Sequence, residues 1–167
     1  MNQSRITAAR LREQLTYDEE TGVFCWKIQK GWKFPGDVAG YIRQDGYVYI
    51  RVDAILYAAH RLACLYMYGE WPKECVDHIN NVKSDNSKNN LRAATNQENM
   101  WNRVAQKNNT SGDKGVGFNK QTKKWKATIK CHGVKIPLGE FKTPEEAHKA
   151  YSEASERLHG KFSNTGL

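Results

Sequence analysis

The chain has 167 residues, 39% hydrophobic and 26% charged, a balance that excludes a collagen-like, low-complexity or wholly disordered protein. No apolar run approaches the ~18 residues a bilayer crossing needs, and the amphipathic start MNQSRITAARLREQL has neither the apolar stretch nor the cleavage site of a secretory signal. The 26 Lys and Arg against 18 Asp and Glu leave a net +8, which favours a polyanionic partner. Residues 1–103 carry 14 basic and 12 acidic side chains, and residues 104–167 carry 12 and 6, so the positive field lies mainly in the C-terminal third. Cys25, Cys64, Cys75 and Cys131 are scattered without a C-x-x-C pair, which reads as free thiols of a reducing cytoplasm, with neither zinc knuckle nor disulfide framework.

In chain order, the first predicted element is a helix capped by Ser4 with a sparse stripe of Ile6, Leu11 and Leu15. Thr21-Gly22 opens a strand, Val23 to Trp26, and a loop punctuated by Gly31, Pro35 and Gly36 follows. A hairpin is predicted next, with Ala39 to Arg43 and Tyr47 to Val52 flanking Gln44-Asp45-Gly46, and residues 55–58 extending the sheet. Ala59 to Tyr68 reads as a helix ending at Gly69, and Cys75 to Ile79 as a short strand beyond Trp71-Pro72. The polar loop NNVKSDNSKNN leads to a strand at Leu91 to Ala94. Thr95 and Glu98 then form a capping box that opens a helix to about Gln106, with Met100/Val104 and Trp101/Ala105 as neighbours. Past the linker KNNTSGD, strands near 115–119, 124–131 and 134–141 precede a helix capped by Thr143, with Pro144 at its first position and its end near Gly160.

Strand, loop, strand, helix is an order that can carry Asp77 and Asn99 to one place: Asp77-His78 lies on the first strand and Asn99 in the first turn of the helix. A carboxylate and an amide oxygen make a hard-ligand pair suited to Mg²⁺ or a similar ion. His78 points to the other side of its strand from Asp77, and an ordinary imidazole pKa of ~6.5 suits it to take a proton from water.

Asp77-His78-Ile79-Asn80, Asn89-Asn90-Leu91-Arg92 and Glu98-Asn99-Met100, preceded by Ala58-Ala59-His60-Arg61-Leu62-Ala63 and Gly69-Glu70-Trp71-Pro72, resemble the HNH endonucleases of the phage and homing type. The resemblance implies a ββα-metal core in which His78 is the general base, Asp77 and Asn99 hold one divalent metal, and Asn90 braces the loop and the orientation of His78. It implies Mg²⁺ or Mn²⁺, because some relatives have histidine where this chain has Asn99, and those tolerate softer metals. Arg92 and Arg103 are candidate phosphate contacts, Arg103 lying four residues after Asn99 on its helix. For His60 a structural role is expected. Asp53-Ala54 stands where such nucleases often have an Asp-Gly turn, and residues 1–55 show no chemistry of their own.

In the strand Lys124 to Cys131, Trp125, Ala127, Ile129 and Cys131 alternate with Lys124, Lys126, Thr128 and Lys130, leaving a basic strip opposite a packed face. Residues 111–164 resemble the plant ethylene-response (Apetala-type) DNA-binding domain through Lys114-Gly115-Val116, Lys124-Trp125, Leu138-Gly139-Glu140-Phe141, Thr143-Pro144-Glu145-Glu146-Ala147, Ala150-Tyr151 and His159-Gly160. That family reads DNA with its sheet. Lys114, Lys130 and Lys135 stand where it usually has arginine, whereas Gly117, Asn119 and Pro137 replace its other contact residues, so DNA binding carries over without a target sequence.

The expected architecture is α+β: a helix and β-hairpin region at 1–55, the nuclease core at 56–107, a linker at 108–113 and a βββα DNA-binding domain at 114–167. The expected function is metal-dependent hydrolysis of double-stranded DNA by a monomer, in the cytoplasm of a bacterial host if phage-encoded, with no membrane partner. A non-catalytic DNA-binding regulator that keeps the nuclease fold, and an RNA-directed nuclease, are the alternatives.

Overall fold

The computed structural model describes residues 5–105, 109 and 111–166. Ser4 and Gln106, expected at helix ends, lie outside them. Helix α1 (Ala8–Gln14) starts at Thr7, whose hydroxyl accepts from the Arg10 amide at 3.2 Å. It stops where Leu15, expected in the helical stripe, turns extended and opens β1 (Leu15–Tyr17), which pairs antiparallel with β2 (Phe24–Trp26). A second antiparallel sheet runs β3 (Tyr41–Ile42), β4 (Val48–Val52), β5 (Ile55–Ala58). Asp53 and Ala54 both adopt left-handed φ in the turn between β4 and β5. The Asp53 carboxylate there accepts from Arg10 Nε at 3.1 Å and Gln14 Nε2 at 2.8 Å, which ties α1 to the sheet.

Helix α2 (Ala59–Tyr68) runs to Gly69 as its apolar periodicity predicts, burying Ala59, Leu62, Ala63 and Leu65. With Leu11, Leu15, Phe24, Trp26, Ile50 and Val52 these residues form one core. Strand β6 (Cys75–His78) then pairs antiparallel with β7 (Leu91–Ala94), placing Asp77 opposite Arg92 and His78 opposite Leu91.

The chain divides into two compact units, Met1–Ala94 and Thr95–Leu167. The second begins with α3 (Asn96–Asn102), whose capping box has both halves: Thr95 Oγ1 accepts from the Glu98 amide, and Glu98 Oε2 from the Thr95 amide at 2.8 Å. The helix ends at Asn102, with Arg103 extended, so Val104 and Ala105 do not continue the expected neighbour pairs. Side chains from farther along the chain take up its last carbonyls: Lys114 Nζ donates to Trp101 O at 2.5 Å and Arg103 O at 2.7 Å, and Asn164 Nδ2 to Asn102 O at 2.8 Å. Trp101 stacks on His159 with ring centroids 4.3 Å apart.

An antiparallel sheet in the order β10–β9–β8 packs on α4 (Pro144–His159), where β8 is Val116–Asn119, β9 Lys124–Cys131 and β10 Val134–Phe141. Ala127 and Ile129 of β9 are buried with Ala147, Tyr151 and Ala154 of α4, as the alternation predicted. Pro137 sits on the edge strand, where a missing N–H costs no ladder bond. The mixed α+β class and the C-terminal three-stranded sheet on one helix are therefore as expected. Among the described residues no helix is long and apolar enough to cross a membrane.

Candidate active site

Asp77 is buried, 4% exposed, and Arg92 across the β6–β7 pair donates to its Oδ2 from Nε at 2.8 Å and from Nη2 at 2.7 Å. A carboxylate taken out of water needs a counter-charge, and the antiparallel register supplies one directly opposite. Arg92, expected on phosphate, turns its guanidinium onto Asp77 instead.

His78, one residue on, is also buried. Its Nε2 lies 3.2 Å from Asn86 Oδ1, while Asn86 Nδ2 donates to Ser84 O at 3.2 Å. The second bond orients the amide so that its oxygen faces the ring. Nε2 therefore carries the proton and the basic lone pair sits at Nδ1. Burial holds the His78 pKa below its ordinary value, against a smaller opposing effect of the Asn86 bond, so the ring is neutral at pH 7.

The direct contact that orients His78 thus comes from Asn86, whereas that role was expected of Asn90. Asn90 pins the loop, as also expected of it: its Oδ1 accepts from the Asn80 amide at 2.9 Å, its Nδ2 donates to Asp85 O at 2.8 Å, and its carbonyl accepts from Ile79 N at 2.9 Å. Asn86 is one of five asparagines between positions 80 and 90, and nothing local marks it out. What fixes it comes from the N-terminal segment. Tyr17 Oη donates to Asn86 O at 2.7 Å, and Gly22 lies so close that a Cβ there would fall 2.3 Å from the Asn86 carbonyl carbon. Lys88 pairs with Glu19 at 2.6 Å, and Lys83 Nζ donates to Asp45 O at 2.8 Å. Residues 1–55 therefore brace the loop that carries the site.

His60 and Tyr47 complete a ring cluster, with centroids 5.2 Å (His60–His78) and 5.8 Å (Tyr47–His78) apart. His60 Nδ1 is buried without a hydrogen-bond partner. Burial, with His78 and Arg61 nearby, lowers the His60 pKa to about 4. Its folded pKa lies below the unfolded value of ~6.5, so the unfolded chain binds the extra proton as pH falls through that window and stability drops with it. Relative to pH 7, His60 alone should cost about 2 kcal/mol at pH 5. Urea unfolding at the two pH values should show a loss in the wild-type chain, and His60→Phe should reduce it by the His60 share, leaving the part that His78 and His159 contribute through burial. An equal loss in both proteins would contradict the assignment.

Asn99 stands in the first turn of α3, half-buried, in the second unit. Arg103 falls past the helix end, so it does not share a helical face with Asn99. Lys114 is half-buried on its three carbonyls, Asn164 O being the third at 3.1 Å, and burial lowers its pKa to about 8. It works as a helix cap where a DNA contact was expected. On the open face of the sheet Lys124, Lys126, Lys130 and Lys135 are exposed and Thr128 half-buried. Lys130 and Lys135 face each other directly, a like-charge pairing that costs stability unless an anion lies over it. Glu140, opposite Lys126, interrupts the strip and accepts from Asn119 Nδ2 at 2.8 Å. Among the described residues no three of His, Cys, Asp and Glu gather as a metal cluster.

Residues 57–101 match the family model of the HNH endonucleases. The chain is 29% identical over 143 residues to an uncharacterised HNH endonuclease of Acanthamoeba polyphaga mimivirus, covering 84% of this chain and 73% of that protein. It is 33% identical over 87 residues to Protein 3.8 of Escherichia phage T7, covering 52% of this chain and 71% of that one. No solved structure matches the chain significantly.

Proposed function

Because this chain belongs to the HNH endonuclease family, we propose that it is a divalent-metal-dependent endonuclease that hydrolyses double-stranded DNA with His78 as general base. The observation that carries this reading is the buried pair of neighbours: the His78 imidazole, with Nε2 3.2 Å from Asn86 Oδ1, beside a carboxylate held by Arg92. Nδ1 of His78 takes the proton of the attacking water, and the Asn86 amide oxygen stabilises the imidazolium that results. Burial keeps that base unprotonated at neutral pH.

The donor chemistry fits a hard ion. Asp77 and Asn99 would hold Mg²⁺ or Mn²⁺ through a carboxylate and an amide oxygen, with water and phosphate completing the shell. When bound, the ion supplies Lewis-acid neutralisation of charge at the phosphate and the leaving oxygen. The expected products are a 5′-phosphate and a 3′-hydroxyl, and one site per monomer nicks one strand at a time. Phage and giant-virus relatives support action in a host cytoplasm.

The exposed lysines of β9 and β10 give the substrate its handhold. With the whole chain, replacing Lys126 and Lys130 by alanine should flatten the dependence of log affinity on log salt by about one unit for each phosphate no longer neutralised. An unchanged slope would take the strip out of the interface. The function itself is tested with supercoiled plasmid: relaxation in Mg²⁺ or Mn²⁺ that stops with chelator is the expected result. Tight DNA binding with no cleavage in either ion would make the chain a regulator, and cleavage confined to structured RNA would change the substrate.

A further inference from the structure

Trp32 is 96% exposed, and three further apolar side chains of the same segment, Ile28, Phe34 and Val38, are exposed with it. A fully exposed indole in a segment with other exposed apolar side chains calls for a partner. The segment that carries it is built to hold a shape. Lys30 N donates to Lys33 O at 2.9 Å and Lys33 N to Lys30 O at 3.1 Å, closing a two-residue turn over Gly31 and Trp32. Gly31 takes φ +59°, which a primed hairpin turn demands at its first central position. Trp32 is therefore the tip of a tight hairpin.

Its base is fastened as well. Lys30 Nζ turns back to Gln14 Oε1 at 3.3 Å and lies 5.7 Å over the Trp26 ring. The Phe34 amide donates to the Asp37 carboxylate at 2.9 Å, and Trp26 N donates to Asp37 O at 2.9 Å. The tip is held out from a buried tryptophan of the core by a hydrogen-bonded stem. Lys33, exposed, follows it, Lys27 and Lys30 precede it, and no acidic residue occurs from position 21 to position 36. Lys30 is paired with Asp53 at 3.8 Å and Asp37 is tied into the stem, which leaves exposed Lys33 as the cation beside the indole; a ring with a cation next to it complements a polyanion that carries stacked rings.

We propose that the Lys30–Lys33 hairpin is a wedge that inserts the Trp32 indole into the base stack of duplex DNA. This deepens the nuclease reading and rests on it. Apolar side chains inserted between base steps unstack and kink a duplex, and a rigid tip loses little freedom on entry. A ring that stacks on bases is tolerant of sequence, so the wedge adds affinity without setting a target.

The test uses the whole chain with a random-sequence DNA duplex and chelator, so that cleavage does not consume the probe. Trp32→Ala should weaken binding about 5- to 150-fold, the equivalent of ~1–3 kcal/mol for one stacked base. Trp32→Phe, which keeps a ring, should recover most of it. Wild-type chain should render thymines newly reactive to permanganate, and Trp32→Ala should abolish that reactivity. Since the side chain packs on nothing, neither variant should lower the melting temperature. Equal affinity of wild type and Trp32→Ala, or weakened binding with unchanged thymine reactivity, overturns the wedge while leaving the nuclease reading intact. A wild-type chain that neither binds nor cleaves duplex DNA overturns both.

Discussion

Arg92→Leu should destabilise the chain by about 3–5 kcal/mol, because it removes the guanidinium that pairs with the buried Asp77 carboxylate, 4% exposed. The leucine fills much of the volume, so the loss is electrostatic in origin. Two further measurements separate it from a packing defect. Changing Asp77 to asparagine in the same protein should recover a large part of the loss, since no charge is then buried. Mg²⁺ should also raise the unfolding midpoint of Arg92→Leu more than that of the wild type, because the cation can occupy the place the guanidinium left. A loss below about 1 kcal/mol, or no recovery in the double variant, would mean that Asp77 does not depend on Arg92. The pair also sets a limit on the site: any cation that joins Asp77 must share it with an arginine.

Gly22→Ala should cost about 2–4 kcal/mol, with contributions from a left-handed φ of +72° and from a Cβ driven to 2.3 Å from the Asn86 backbone. The clash lands on the residue whose amide orients His78, so the damage extends beyond stability. Relaxing it moves Asn86, the support of the proposed general base, and displacement by about 1 Å of a group that positions the chemistry typically costs on the order of 10²-fold in rate. Glu20→Ala, on the exposed surface beside it, should stay within about 0.5 kcal/mol of the wild type and cleave normally. Thermal unfolding and plasmid relaxation measured on the same preparations check both halves. If Gly22→Ala melts and cleaves like the wild type, the N-terminal segment does not brace the site.

These two residues show what local pattern reveals and what it hides. The α2 helix, the Thr95 and Thr143 caps and the strand alternation from Lys124 to Cys131 were legible because each rests on neighbours within four residues. The end of α3 was not: its carbonyls are taken by Lys114 and Asn164, and no periodicity in 95–106 anticipates them. Leu15 fits a helical stripe and a strand equally well, and its antiparallel pairing with Trp26 decided for the strand. At the candidate site, the residue types of Asp77 and His78 suggested the proposed chemistry. The partners that tune them did not, since Arg92 is identified by β-sheet register and Asn86 by its ties to Tyr17 and Gly22 from more than sixty positions away.

Withdrawal of a proton from the attacking water by His78 is the step on which the proposed chemistry turns. It is measured by comparing wild type and His78→Ala for nicking of supercoiled plasmid in Mg²⁺, with DNA affinity determined in parallel. The rate should fall by at least ~10²-fold while affinity stays nearly unchanged. Equal nicking by the two proteins would remove His78 from the reaction.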